Sequence, residues 1–217
     1  MCGIVGFISG EENKLKVIKN MTDRIKHRGP DKEGYYTDEF IALGHRRLSI
    51  IDLDNGGQPL ISEDENLIVI FNGEIYNYIE LRNELMKNNH NFKTNSDTEV
   101  LLHGYEEWKE ELPKKLRGMF SFAIWEKSKK TLFCARDNFG IKPFYYYKSD
   151  NVFMFASEIK PFLEHPSFKK ELNKKLIGPY LSFSFTPTAE TFFKGVYCLE
   201  PGNILIYKNN QINIKKY

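Results

Sequence analysis

The chain of 217 residues is poor in the residues that build disulfide frameworks and metal sites. It has five histidines and three cysteines, at Cys2, Cys134 and Cys198. The cysteines are odd in number and far apart, so they predict neither a disulfide framework nor a zinc site. The histidines show no paired spacing for a metal, so none is expected. Cys134 and Cys198 lie in apolar, strand-like runs and are expected to be inert core residues.

Long apolar runs are also missing. None approaches the roughly 20 residues that a membrane-spanning helix needs, so no membrane partner is expected. The first residues lack the basic segment of a secretory signal peptide. We therefore expect a cytoplasmic protein, because a free reactive thiol persists in that reducing compartment.

An excess of one charge is missing as well. The 31 lysines and arginines nearly balance 29 acidic residues, for a net charge of +2. A nucleic-acid-binding protein usually concentrates basic residues on one surface, whereas the lysines here are scattered, so no nucleic-acid partner is expected. Apolar residues make up 41% of the chain, which is enough for the core of one domain, or one and a half.

The hydrophobic pattern predicts strands in clusters rather than in alternation with helices. Strands are predicted at 3–9, 35–37, 40–51, 67–71, 119–126, 131–136, 143–147 and 152–156, with a hairpin at 204–214. Helices are predicted at 13–26, at 76–88 and from Ser96 to about Trp108. This arrangement favours an α+β fold of stacked, mostly antiparallel sheets with helices outside.

Cys2 is the first candidate for chemistry. Initiator methionine is readily removed when a small residue follows it, and the mature chain would then begin with Cys2. One residue would carry both a thiol nucleophile and an α-amine. The reference pKa of an α-amine, about 7.7–8.0, suits a base near neutral pH. The alternative is a chance Met-Cys start to a core strand.

Asn72-Gly73 follows a buried apolar strand. Asn-Gly is a strong signal for a two-residue hairpin turn. The next residues, from Tyr76 onward, predict a helix and not a returning strand. A strand that ends on Asn-Gly before a helix presents a side-chain amide and an unhindered backbone N–H, two donors suited to an oxyanion.

Two further motifs carry charge. Arg46 and Arg47 point to opposite faces of a strand, so only one can bind a ligand carboxylate in a given site; the alternative is an exposed pair. Ser96 and Glu99 form a capping box at the start of a helix. The carboxylate of Asp97 is then free to meet a ligand ammonium group. Together these groups fit a free amino acid with a side-chain amide, such as glutamine.

The motifs resemble those of the class II glutamine amidotransferases over essentially the whole chain, and within them the domains of glutamine-hydrolysing asparagine synthetases. They are Met1-Cys2-Gly3-Ile4-Val5-Gly6, His27-Arg28-Gly29-Pro30-Asp31, Gly44-His45-Arg46-Arg47-Leu48-Ser49-Ile50-Ile51-Asp52, Gly57-Gln58-Pro59-Leu60, Asn72-Gly73-Glu74-Ile75-Tyr76-Asn77, Ser96-Asp97-Thr98-Glu99, Gly118-Met119-Phe120 and Arg136-Asp137-Asn138-Phe139-Gly140-Ile141-Lys142-Pro143. The resemblance implies an N-terminal nucleophile hydrolase fold, a four-layer αββα sandwich. It implies a glutamine amidotransferase domain at 2–190, followed by strands at 191–217 that lead toward a synthetase domain.

The resemblance also implies roles for individual residues. Cys2 would be the nucleophile, with its own α-amine relaying the proton, and Asn72 and the Gly73 amide would form the oxyanion hole. Arg47 would bind the glutamine α-carboxylate. The remaining glutamine-binding residues would be Leu48, Ser49, Ile50 and Ile51 through their backbone, and Glu74 and Asp97 on the α-ammonium side.

In the synthetases an ATP-dependent domain follows and uses the released ammonia to amidate aspartate to asparagine. Its Ser-Gly-Gly-x-Asp-Ser phosphate loop does not occur in this sequence. No cofactor is therefore expected for this domain, whereas ATP and Mg²⁺ belong to the synthetase domain, its expected partner. Two alternative functions stay open at this point: a glutaminase domain that serves another ammonia acceptor (an acid or a sugar phosphate), and a non-catalytic regulatory or docking domain. Assembly into a homodimer also stays open.

Overall fold

A computed structural model describes residues 1–49 and 56–217. The predicted contributions of Ile50 and Ile51 lie outside the described residues. The strands are β1 (Gly3–Ser9), β2 (Lys32–Thr37), β3 (Ile41–Arg47), β4 (Leu60–Ile61), β5 (Leu67–Ile75), β6 (Gly118–Glu126), β7 (Thr131–Arg136), β8 (Tyr145–Ser149), β9 (Val152–Ala156), β10 (Val196–Cys198), β11 (Asn203–Lys208) and β12 (Gln211–Lys216). The helices are α1 (Lys14–Asp23), α2 (Tyr78–Lys87), α3 (Asp97–Trp108), α4 (Leu112–Lys115) and α5 (Ile177–Phe183). Short 3-10 helices lie at Lys26–Arg28, Lys109–Glu111, Lys160–Glu164 and Lys174–Leu176.

The described strands form two sheets of six, all paired antiparallel. Sheet A has the order β10-β8-β9-β1-β3-β2, and sheet B has the order β12-β11-β7-β6-β5-β4. None of the described helices is long and apolar enough to cross a membrane.

Within residues 1–49 and 56–217, three apolar cores separate four layers. One core joins sheet B to α2, α3 and α4, and another joins sheet A to α1. The third core lies between the two sheets and includes Trp125, Phe153 and Phe155. The order of layers is therefore helix, sheet, sheet, helix, which confirms the predicted α+β sandwich.

The period of two along each strand decides which side chains face the layer between the sheets. In β5, Ile68 and Ile70 belong to this middle core, whereas Val69 and Phe71 belong to the core under α2 and α3. The same alternation turns Asn72 toward the other sheet. In β3, Leu43 belongs to the middle core, so Arg47, four residues later, shares that face.

Two predicted strand ends near the candidate site are wrong. The strand predicted at 40–51 ends at Arg47. The strand predicted to end before Asn72-Gly73 continues to Ile75, because Asn72 pairs with Ser121 of β6 in an uninterrupted register. The Asn-Gly pair therefore lies inside a strand and makes neither a hairpin nor a strand end.

The predicted domain boundary at residue 190 stays a prediction. The strands that follow it pair within the two sheets: β10 with β8 in sheet A, and β11 with β7 in sheet B.

Candidate active site

A pocket at the end of the two sheets brings together most of the predicted site residues. Cys2, Arg47, Asn72, Gly73 and Asp97 all line it, although they come from β3, β5, the start of α3 and the residue before β1. Charged and polar groups thus line the same pocket as the Cys2 thiol.

Cys2 is placed by the pairing of β1 with β3. Gly3 lies opposite Arg46, and one step further along this register brings Cys2 beside Arg47. The Leu48 N–H donates to the Cys2 sulfur at 3.4 Å, and Arg28 Nε donates to the Cys2 carbonyl oxygen at 3.0 Å. Burial raises the pKa of the Cys2 thiol, although the Leu48 N–H and the positive charges of the N-terminus and Arg47 oppose this shift. The thiol therefore needs a base to become a good nucleophile.

Asn72 is the most unusual polar residue of the site. Its side chain is fully buried, and neither the amide nitrogen nor the amide oxygen has a hydrogen-bond partner among the described residues. A buried polar group without a partner costs roughly 1–3 kcal/mol. Such groups are rare in folded proteins, and a ligand atom that completes the hydrogen bonds is one explanation.

The Gly73 amide lies on the same strand beside this group. Backbone N–H groups two residues apart point to the same strand edge. The Phe71 N–H donates to Gln58 Oε1 at 2.7 Å and the Ile75 N–H donates to Asp97 Oδ2 at 3.1 Å, so the Gly73 N–H lies between them on the pocket edge. A Cβ at residue 73 would lie 2.2 Å from the Met119 carbonyl oxygen, which explains why glycine is needed.

The two adjacent arginines have separate surroundings. Arg46 turns toward α1, where it forms ion pairs with Asp23 and with Glu33 and bonds the Thr22 carbonyl oxygen. Arg47 is buried and lines the pocket. The alternation of the strand thus leaves Arg47 for the site, and the alternative of two exposed arginines is wrong.

Asp97 is held by the start of α3. The Ser96 hydroxyl accepts from the Thr98 N–H at 3.2 Å, which confirms the predicted cap. The predicted capping-box contact of Glu99 is wrong, because its carboxylate instead accepts hydrogen bonds from the backbone N–H groups of Lys93 and Thr94. Burial raises the pKa of Asp97 to about 6, partly offset by the Ile75 N–H.

The other predicted residues differ in position. Leu48 and Glu74 line the pocket. Ser49 is half-buried, and its N–H donates to Asp31 Oδ2 at 2.8 Å.

Two further residues line the pocket, and the sequence alone assigns no role to either. Lys142 is nearly fully buried and lines the pocket, with its Nζ 3.2 Å from the Met1 sulfur. Burial lowers its pKa, which the charge of Glu74 partly offsets. Gln58 joins the Phe71 N–H to the Thr98 hydroxyl, to which its Nε2 donates at 3.1 Å. Both residues lie in the quoted motifs, but spacing alone does not show that their side chains reach the pocket.

A family model described as a glutamine amidotransferase domain matches residues 1–217, so the chain belongs to that family. Its curated relatives include asparagine synthetase [glutamine-hydrolyzing] 1 of Bacillus subtilis, 47% identical over 223 residues, covering all of this chain and 35% of the relative. Asparagine synthetase [glutamine-hydrolyzing] 3 of the same organism is 36% identical, and the match covers all of this chain and 36% of the relative. The chain thus spans about a third of the length of these relatives.

Two solved structures share the fold of this chain. The glutamine phosphoribosylpyrophosphate amidotransferase of B. subtilis matches with a TM-score of 0.68 at 20% identity, over 99% of this chain and 49% of that one. A structure titled as the allosteric regulatory enzyme of purine biosynthesis matches with a TM-score of 0.73 at 21% identity, over the same shares. At these identities the likeness concerns the fold.

Proposed function

We propose that the chain hydrolyses L-glutamine to glutamate and ammonia. The observation that carries this proposal is the placement of a buried, unpartnered amide, that of Asn72, in the same pocket as the thiol of Cys2. An oxyanion hole needs a donor of this kind, fixed in place before the reaction and kept from water.

The reaction begins when the Cys2 sulfur attacks the side-chain amide carbon of glutamine. The α-amine of Cys2 takes the thiol proton and passes it to the leaving ammonia. Asn72 Nδ2 and the Gly73 N–H stabilise the negative oxygen of the tetrahedral intermediate. Water then attacks the γ-glutamyl thioester, which releases glutamate and regenerates the thiol.

The charged groups of the pocket recognise the rest of the amino acid. Arg47 binds the α-carboxylate, since a guanidinium matches a carboxylate through two parallel hydrogen bonds. Asp97, with Glu74 beside it, binds the α-ammonium group. Leu48 completes the pocket wall.

Met1 occupies the place where the free amine of the mature chain must act. It lines the pocket, and its sulfur accepts from Lys142. While Met1 remains, the nitrogen of Cys2 is an amide and is not basic, so removal of Met1 should switch the enzyme on.

The test is glutamate release from glutamine by chains whose N-terminus has been checked by mass spectrometry. The processed wild type should turn over, whereas a chain that retains Met1 and the processed Cys2→Ala variant should not. Turnover by the Cys2→Ala variant would refute the mechanism. An intact, processed wild type that releases no glutamate would favour a regulatory or docking domain.

We further propose that the ammonia serves the amidation of aspartate to asparagine in a longer, cytoplasmic protein. The names of the relatives and the share of their length that this chain spans support this. ATP and Mg²⁺ would bind the additional synthetase domain. The test is asparagine formation by the full-length gene product with glutamine, aspartate, ATP and Mg²⁺; amidation of a different acid or of a sugar phosphate would redirect the proposal.

A further inference from the structure

A cluster of imidazoles and carboxylates joins the end of α2 to the second half of α3. His90 follows α2, where its N–H donates to the Leu85 carbonyl oxygen at 3.1 Å. His103 and Glu106 lie one turn apart in α3. The Nδ1 atoms of His90 and His103 lie 3.2 Å and 2.8 Å from the same atom, Glu106 Oε2. The glutaminase mechanism uses none of these side chains.

The spacing of these atoms suits a small metal ion. One ligand atom from each of the three residues lies within 4.8 Å of the others. In a tetrahedral zinc site with bonds of about 2.0–2.1 Å to nitrogen and oxygen, neighbouring ligand atoms are roughly 3.3 Å apart. The two distances to Glu106 Oε2 are already close to this value, so small side-chain movements would form the site.

The far nitrogens of both imidazoles also face carboxylates. His90 Nε2 lies 3.3 Å from Glu107 Oε2. His103 Nε2 lies 3.9 Å from Glu99 Oε1, and it is a buried atom without a hydrogen-bond partner among the described residues. Histidines that bind metals usually direct the other ring nitrogen toward a carboxylate or a carbonyl group, which fixes the ring.

Charge and burial favour a cation at this place. Three carboxylates surround the two imidazoles, and His103 is only 2% exposed. Imidazole and carboxylate ligands suit zinc and neighbouring first-row ions better than calcium or magnesium, which prefer oxygen alone.

We propose that His90, His103 and Glu106 bind one divalent transition-metal ion of the zinc type, with Glu107 and Glu99 as the outer carboxylates. The ion would tie the end of α2 to α3, the helix whose first residue is Asp97. The proposal does not depend on the glutaminase function.

The test is isothermal titration calorimetry, in which ZnCl₂ is added to the metal-free 217-residue chain and the heat of binding is measured. A Cys2→Ala background removes the thiol that would compete for zinc. One ion per chain should bind, and the melting temperature should rise with zinc, because a ligand of the native state stabilises it. His90→Gln should abolish this binding, and Glu107→Gln should weaken it about 10–100-fold. His27→Gln is the matched control, since His27 is a surface histidine 2.8 Å from Glu158, and zinc binding should be unchanged.

Two results would overturn the proposal. The first is a parent chain that binds no zinc. The second is equal zinc affinity in the parent and in His90→Gln. X-ray absorption at the zinc edge of the parent chain provides a measurement that needs no variant: two imidazoles and a carboxylate support the site, and sulfur ligands refute it.

Discussion

Replacement of Asn72 by alanine should separate activity from stability. The variant loses one of the two donors proposed for the oxyanion, and loss of one such donor lowers kcat about 10²–10³-fold, or about 2.7–4 kcal/mol. KM for glutamine should change little, because the donor contributes mainly in the transition state. Steady-state glutamate release by processed, Met1-free protein measures both constants.

The same substitution should leave folding intact or improve it. Both polar atoms of the Asn72 side chain are buried without partners, so their removal relieves a cost of roughly 1–3 kcal/mol. The packing lost with the small amide offsets part of this gain. For a chain of this size, 1 kcal/mol corresponds to about 2–4 °C in Tm. Calorimetry should therefore find a Tm equal to that of the wild type or a few degrees higher.

Ser121 provides the matched control. It lies directly opposite Asn72 on β6, and its hydroxyl is also buried without a partner, but it does not line the pocket. Ser121→Ala should raise or preserve Tm while kcat stays at the wild-type value. An Asn72→Ala variant that retains more than about a tenth of the wild-type kcat, or that unfolds at a clearly lower temperature than the wild type, would contradict the role proposed for Asn72.

Three further outcomes follow from the site. Arg47→Gln should raise KM for glutamine roughly 10–150-fold, because it removes charged hydrogen bonds that contribute about 1.5–3 kcal/mol. Arg46→Gln should instead lower Tm and leave KM unchanged, because Arg46 forms an ion pair and a hydrogen bond with α1. The reverse pattern of effects would exchange the roles of the two arginines. Burial raises the pKa of Asp97 to about 6, so its carboxylate is charged above this pH and neutral below it. KM for glutamine should therefore rise as the pH falls through about 6. Asp97→Asn should give a high KM without this pH dependence. A wild-type KM that stays flat between pH 5 and pH 7, roughly one unit on each side of the pKa, would contradict the role of Asp97. Gly73→Ala should lower kcat and Tm, because the added Cβ would meet the Met119 carbonyl oxygen. The free energy of unfolding should fall by about 1–3 kcal/mol. An unchanged Tm in a melting curve would show that the strand can move away from this contact.

The sequence predicts the stacked sheets and the three long helices, because these elements carry their own hydrophobic patterns, but it does not predict β4, β10, α4 or α5. It predicts strand ends less well. Asn72-Gly73 carries a strong local turn signal, yet the pairing with Ser121 holds it inside β5. The Ser96 cap depends on neighbouring residues and is correct, whereas the Glu99 bond depends on how the loop at Lys93 and Thr94 folds back.

The site shows the same limit. The residues predict that only one of Arg46 and Arg47 can serve a pocket, but the choice depends on which face of β3 meets sheet B. That Cys2 and Asn72, 70 residues apart in sequence, line one pocket follows from tertiary packing and not from either motif. The meeting of His90 with His103 is of the same kind, since it depends on how α2 and α3 pack.

The nucleophile and its oxyanion donors belong to different sheets. Cys2 continues β1 of sheet A, whereas Asn72 and Gly73 lie in β5 of sheet B. The distance between the Cys2 sulfur and the Asn72 amide is therefore determined by the thickness of the middle core between the two sheets. A smaller residue at Phe153 or Phe155 would change this thickness and misalign the reacting atoms without contacting the substrate.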